Sequence, residues 1–187
     1  MWNLPNTLTM LRIGMIPVFI CVYYLPWGWS HVASAAIFGV AALTDWVDGY
    51  LARKLGQVTP FGAFLDPVAD KLIVVVALVM LLEVHSSFWF ALPSMIIIGR
   101  ELVISALREW MSERGLRDGV AVSMLGKVKT WMQMVAIALL LLATPDHPAF
   151  LIIGYMAIYM AAVLALWSMV VYIKQAWPQL QGKSEEQ

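Results

Sequence analysis

Residues 44–70 read TDWVDGYLARKLGQVTPFGAFLDPVAD, and the fold follows from how this stretch is read. It sets four aspartates, Asp45, Asp48, Asp66 and Asp70, among residues apolar enough for a membrane interior. Asp45 and Asp48 are three apart and Asp66 and Asp70 four apart, so on helices each pair occupies one face. Between the pairs lies GQVTP, residues 56–60, where Gly56 can end one helix and Pro60 can open the next. The stretch therefore predicts an antiparallel helical hairpin. Residues equidistant from its turn lie level, which sets Asp45 opposite Asp70 and Asp48 opposite Asp66. At 1.5 Å of rise per residue, the deeper pair is about 15–18 Å from the turn.

Four carboxylates at that depth cannot all stay charged and alone. One Asp at the centre of a membrane helix costs about 2.5–3.5 kcal/mol on insertion scales, and four together repel one another. Either protons or cations must neutralise them. Two divalent ions would cancel the charge, and an all-oxygen donor set suits Mg²⁺ or Mn²⁺. Two such ions would also clamp phosphoryl oxygens. A proton or cation pathway lined by acids is the other reading that the carboxylates leave open.

Composition sets the surroundings. The chain has 187 residues, of which 61% are hydrophobic and 13% charged, with mean hydropathy +0.79. That excludes an ordinary soluble domain and predicts an all-α integral membrane protein. The formal net charge of zero gives no nucleic-acid signal. A single cysteine, Cys21, cannot build a disulfide framework and reads as inert packing in an apolar run. Ala33-Ser34-Ala35 has the form of a signal-peptidase site. The apolar run before it is long and lacks a basic start, so the triplet reads as small residues packing at a helix start. No repeat, low-complexity segment or linker divides the chain, which is expected to be one domain over residues 1–187.

Six transmembrane helices are predicted: Thr7–Tyr24 with a kink at Pro17, Val32–Leu55, Pro60–Leu82, Phe88–Ser112, Val120–Ala143 and Ala149–Ala176. The connections are PWGWSH, GQVTP, EVHSS, ERGLRDG and TPDHP, and a polar tail follows residue 176. An even number of spans puts both termini on one side. Arg12, Arg53, Lys54, Arg114, Arg117, Lys174 and Lys183 all fall at that end, whereas PWGWSH, EVHSS and TPDHP hold no Lys or Arg. The positive-inside rule then places both termini, and the mouth of a polar metal-binding cavity, on the cytoplasmic side.

Five basic residues are embedded in the predicted spans: Lys71, Arg100, Arg108, Lys127 and Lys129. Arg100 and Arg108 lie near one face of span four, and Lys127 and Lys129 enter span five from the cytoplasmic end. One reading makes them a site for an anionic substrate. The other has them snorkel to headgroups or pair with Glu101 and Glu109. His31, His85 and His147 fall in the outer connections and read as solvated loop residues.

Gly49 after Asp48 allows close approach to the backbone, Arg53 can present a planar fork to phosphate, and Gly62 and Ala63 permit close helix contact. Taken whole, the pattern D-x-x-D-G-x-x-A-R-x8-G-x3-D-x3-D resembles the signature of the CDP-alcohol phosphotransferase family. Asp45, Asp48, Gly49, Ala52, Arg53, Gly62, Asp66 and Asp70 fill every fixed position. The resemblance implies that the four aspartates hold two divalent cations, Mg²⁺ or Mn²⁺, and that Asp70 also serves as general base. It implies that Asn6 and Thr9 of PNTLT, with Gly49, Arg53 and Thr59, surround the CDP portion of CDP-diacylglycerol. GKVKT at 126–130, REL at 100–102 and ALREW at 106–110 are similar to bacterial members of the family that use sn-glycerol 3-phosphate as acceptor. Arg100, Arg108, Lys127 and Lys129 would then bind the acceptor phosphate, giving phosphatidylglycerophosphate and CMP. The resemblance further implies a homodimer in the bacterial inner membrane, embedded among membrane lipids. Another acceptor, such as inositol phosphate or phosphatidylglycerol, remains open within the family. Outside it, a cation or proton carrier would have no use for Gly49, Arg53 and the complete spaced signature.

Overall fold

The computed structural model describes residues 4–55, 60–114, 124–145 and 147–181. Within them the side chains of 4, 5, 45–55, 60, 63, 124–127 and 180 lie outside the description. Six helices follow in order: α1 (Leu4–Tyr24), α2 (Ser30–Leu55), α3 (Pro60–His85), α4 (Phe88–Glu113), α5 (Met124–Leu142) and α6 (Pro148–Leu180). The all-α architecture and the helix order agree with the sequence expectation.

Three of these helices are long and apolar enough to cross a bilayer, over Asn6–Tyr24, Phe88–Glu113 and Pro148–Gln179. Shorter apolar stretches cover Ser30–Thr44 in α2 and Val128–Leu142 in α5. α3 is long enough but carries Asp66, Asp70, Lys71 and Glu83. The chain is a multi-pass membrane protein, and its described helices expose many large apolar side chains. Leu43, Trp131, Met156, Val163 and Trp167 are exposed in mid-helix, as a hydrocarbon solvent allows. Trp27, Trp29, Phe88 and Trp89 are exposed at the end whose connections hold no Lys or Arg, where an aromatic belt belongs.

Several boundaries differ from the sequence expectation. α1 opens at Leu4, three residues early, and runs through Pro17 without ending. α3 continues three residues past Leu82 to His85. α6 passes Ala176 and Pro178 to reach Leu180. Hydropathy falls at these places, but the helical backbone satisfies its own N–H and C=O groups and has no reason to stop at a bilayer boundary. The turn after α3 is tight: Ser86 adopts φ 36°, and Ser87 caps α4 by accepting from the Trp89 N–H at 3.2 Å.

Two of the histidines are packed, which corrects the loop reading. His31 lies in the first turn of α2, edge-on to Tyr23 at 5.5 Å. His85 is half-buried against Phe90 at 5.0 Å and Tyr155 at 5.5 Å. Both belong to helix ends rather than to connections, so their rings find aromatic neighbours. His147 is exposed at the N-cap of α6. Cys21 is likewise not core packing; it is exposed on α1. Ser34 and Ala35 are buried within α2, and the Ser34 hydroxyl donates to the Ser30 carbonyl at 2.7 Å.

Side-chain bonds fix the helix directions. Thr9 meets Asp66 at one end, and Tyr24 bonds Glu83 at the other, so α1 and α3 run in the same sense. Tyr159 donates to the Trp89 carbonyl at 2.7 Å, while Arg100 and Arg108 reach Ser168 and Tyr172, so α4 and α6 also run together. The core between these helices holds Phe19, Phe38, Ile73, Leu78, Phe90, Ile97, Ile137 and Ile158. α5 and α6 pack tightly at Gly154, where an added Cβ would stand 2.7 Å from Leu140 Cγ.

Candidate active site

The polar groups collect at the end where α1 and α3 begin and α4 and α6 finish. On α1, Asn6, Thr9 and Arg12 are buried, with exposures of 3%, 0% and 1%. Their three-residue spacing stacks them on one face. Thr9 Oγ1 donates to Asp66 Oδ1 at 2.5 Å, a short bond of the kind a charged acceptor makes. Asp66 and Asp70 are both half-buried on α3, one turn apart, on the same face of the helix.

From Asp70 the track crosses to α5. Its carboxylate lies within electrostatic reach of the Lys129 ammonium, which is 1% exposed. A lysine this deep requires anionic partners, since an unpaired buried charge is prohibitively costly. Glu101 of α4 supplies one, accepting from Lys129 Nζ and also from Arg100 Nη1 at 3.4 Å. Arg100 is 7% exposed and donates through Nε to Ser168 Oγ at 3.2 Å. Arg108 Nη2 donates to the Tyr172 hydroxyl at 2.8 Å. Both guanidiniums lie against the Tyr172 ring, Arg100 at 5.9 Å and Arg108 at 5.2 Å from its centroid.

Thus one continuous track runs from Thr9 through Asp66, Asp70, Lys129, Glu101 and Arg100 to Tyr172 and Arg108. It brings together Thr9, Asp66, Asp70, Arg100, Arg108 and Lys129 of the residues singled out in the sequence, and Asn6 lies on the Thr9 face of α1. The side chains of Asp45, Asp48, Gly49, Arg53, Thr59 and Lys127 lie outside the described residues. So does the level pairing of Asp45 with Asp70 and of Asp48 with Asp66. Among the described residues no three His, Cys, Asp or Glu side chains converge on a common point. Asp66 and Asp70 nevertheless supply hard oxygen donors one helical turn apart, a donor set that fits Mg²⁺ or Mn²⁺.

The pairing of Lys129 and Arg100 with Glu101 is the alternative noted for the embedded bases, and it holds for these two. Glu109, by contrast, makes no described bond to Arg108, which turns to Tyr172. Sequence reading missed Arg12, Ser168 and Tyr172. Arg12 carried a signal in its spacing from Asn6 and Thr9. Ser168 and Tyr172 carried a fainter one, as two polar groups one turn apart in the most apolar helix.

A serine- and tyrosine-braced set of cations beside membrane-embedded aspartates is suited to phosphate-bearing substrates, and the whole-chain comparison agrees: the chain belongs to the CDP-alcohol phosphatidyltransferase family, whose family model matches residues 2–171. Within that class its similarity is more particular. It is 51% identical over 186 residues to the CDP-diacylglycerol–glycerol-3-phosphate 3-phosphatidyltransferase of Pseudomonas fluorescens, across 98% of this chain and 95% of that protein. It is 52% identical over 175 residues to the Escherichia coli enzyme of the same name, across 94% of this chain and 95% of that one.

Proposed function

We propose that this chain transfers the phosphatidyl group of CDP-diacylglycerol to sn-glycerol 3-phosphate, releasing CMP and forming phosphatidylglycerophosphate. The observation that carries the reading is the polar track joining Asp66 and Asp70 to the buried Lys129 and Arg100 and on to Arg108. Lys129 and Arg100 share the single Glu101 carboxylate and Arg108 bonds a neutral hydroxyl, so an acceptor bearing its own phosphate adds negative charge that this cluster can take up, whereas a neutral acceptor does not. Full-length likeness to enzymes named for this acceptor supports the same choice.

In the reaction, the primary hydroxyl of glycerol phosphate forms a bond to the phosphorus that carries diacylglycerol. The bond from that phosphorus to the CMP oxygen breaks, and CMP leaves with the electron pair. Asp70 takes the hydroxyl proton as general base. Asp45, Asp48, Asp66 and Asp70 would hold two divalent cations, Mg²⁺ or Mn²⁺, which when bound neutralise the diphosphate and polarise the phosphorus under attack. Thr9 holds the Asp66 carboxylate in place and, with Asn6, Gly49, Arg53 and Thr59, surrounds the CDP portion. Arg100, Arg108, Lys127 and Lys129 hold the acceptor phosphate and set its hydroxyl toward Asp70. An apolar groove of about 570 Å³ between α2 and α5, lined by Phe38, Gly39, Ala42, Leu43, Trp131 and Met134 among others, receives an acyl chain of the lipid. On α2 its described lining reaches Leu43, two residues before Asp45. All six helices span the bilayer, with the polar cavity opening to the cytoplasm.

The test is one assay: purified protein with Mg²⁺ or Mn²⁺, CDP-diacylglycerol and a panel of acceptors, following CMP release. Release is expected with sn-glycerol 3-phosphate and not with inositol phosphate, phosphatidylglycerol, serine or glycerol. Preference for any other acceptor would overturn the assignment.

A further inference from the structure

We infer that Tyr172, on α6, is a positioning residue that sets the two arginines of the acceptor-phosphate site. Arg100 and Arg108 leave α4 about 12 Å apart along its axis, yet both guanidiniums lie against one ring, at 5.9 and 5.2 Å. Two like charges drawn toward one point repel, so something must offset the repulsion. Glu101 offsets part of it at Arg100, and the electron-rich face of Tyr172 acts on both guanidiniums, the residue being only 2% exposed. Its hydroxyl then fixes rotation: Arg108 Nη2 donates to it at 2.8 Å. One turn earlier Ser168 accepts from Arg100 Nε at 3.2 Å, its own proton directed to the Ala165 carbonyl at 2.9 Å.

One N–H of each guanidinium is thereby tied to α6, which orients the rest of each planar fork. Oriented forks match the tetrahedral oxygens of a doubly charged phosphate, whereas freely rotating ones would lose entropy on binding. Tyr172 touches neither substrate nor metal in this account; it acts through Arg100 and Arg108. Its contribution is therefore to acceptor affinity, not to the chemical step.

The inference rests on the proposal that these arginines bind acceptor phosphate, and the experiment separates the two. In full-length protein, Tyr172→Phe keeps the ring and removes only the hydroxyl. It is expected to raise KM for sn-glycerol 3-phosphate roughly three- to tenfold, the worth of one ordinary hydrogen bond, because the hydroxyl acts on the acceptor only through Arg108. KM for CDP-diacylglycerol, kcat and the melting temperature should stay within about twofold or a few degrees. Tyr172→Leu removes the ring as well and should raise the acceptor KM further. Arg108→Ala is the reference. If it raises the acceptor KM while both Tyr172 variants leave it unchanged, or if Tyr172→Phe weakens both substrates equally, Tyr172 is structural only and the inference fails alone. If Arg108→Ala itself leaves the acceptor KM unchanged, the acceptor site is elsewhere and both readings fall.

Discussion

Glu101 and Lys129 face each other with unequal exposure, 18% against 1% for their side chains, and that inequality predicts unequal consequences of removing either. Glu101→Ala strands a buried ammonium and leaves the Arg100 guanidinium beside it. Breaking a buried pair in this way costs about 3–5 kcal/mol; the partial exposure of Glu101 puts the expected loss toward the lower end. Lys129→Met leaves a carboxylate that still touches water and keeps Arg100 at 3.4 Å. Melting temperatures in detergent should fall clearly for Glu101→Ala and little for Lys129→Met, and the reverse order would contradict the pairing described here. The aspartates answer to chemistry instead. Asp70→Asn has the same shape without the basic oxygen, and loss of a general base lowers kcat by about 10²–10⁴. Asp66→Asn can still accept the Thr9 hydroxyl but not carry the charge. CMP release should collapse in both while membrane insertion and yield stay normal; near-normal turnover in either would remove the metal-site assignment.

Helices were legible because apolar runs, Gly and Pro punctuate this chain plainly, and all six lie where those signals place them. Their ends were less so. Hydropathy measures preference for lipid, while helix continuation depends on backbone bonding, which is why Glu83 and His85 continue α3 and Pro178 lies inside α6. Contacts between elements were the least legible. The eight-residue spacing of Arg100 and Arg108 announces a shared face but not that Ser168 and Tyr172 stand opposite. Gly154 is similar: nothing in LIIGYMAIYM distinguishes it, yet it is where α6 meets Leu140 of α5. A Cβ there would lie 2.7 and 2.8 Å from Leu140 Cγ and Cδ2 and 3.4 Å from its backbone nitrogen. Gly154→Val forces these helices apart and should cost about 1–3 kcal/mol by overpacking. Gly154→Ala should cost less, because Ala regains roughly 1 kcal/mol of helix propensity over Gly. Thermal unfolding of the two variants in one detergent checks both the direction and the order; a Val variant as stable as the parent would mean that the helices are not in contact there.

Across the whole molecule, the charges and the helix directions make one statement about orientation. The polar track lies where α1 and α3 begin and where α4 and α6 end, at the end that also holds Arg53 and Lys54 of α2, Arg114 and Lys174. The opposite end has exposed Trp27, Trp29, Phe88 and Trp89 and connections without Lys or Arg. A water-soluble nucleotide product and a phosphorylated acceptor both need access to the polar end, so that end must meet the compartment that holds them. On the orientation proposed above from the positive-inside asymmetry, that compartment is the cytoplasm. The orientation can be tested with a membrane-impermeant maleimide on a Cys21→Ser background, since the native thiol is exposed on α1. A single cysteine at Gly28→Cys reports the α1–α2 connection, where an added side chain meets nothing within 4 Å. Ser184→Cys reports the C-terminal tail. In spheroplasts the reagent should label Gly28→Cys at once and Ser184→Cys only after the membrane is opened. The inverse pattern would turn the protein over, put the aspartates' mouth on the outer face and leave both soluble substrates on the wrong side of the membrane.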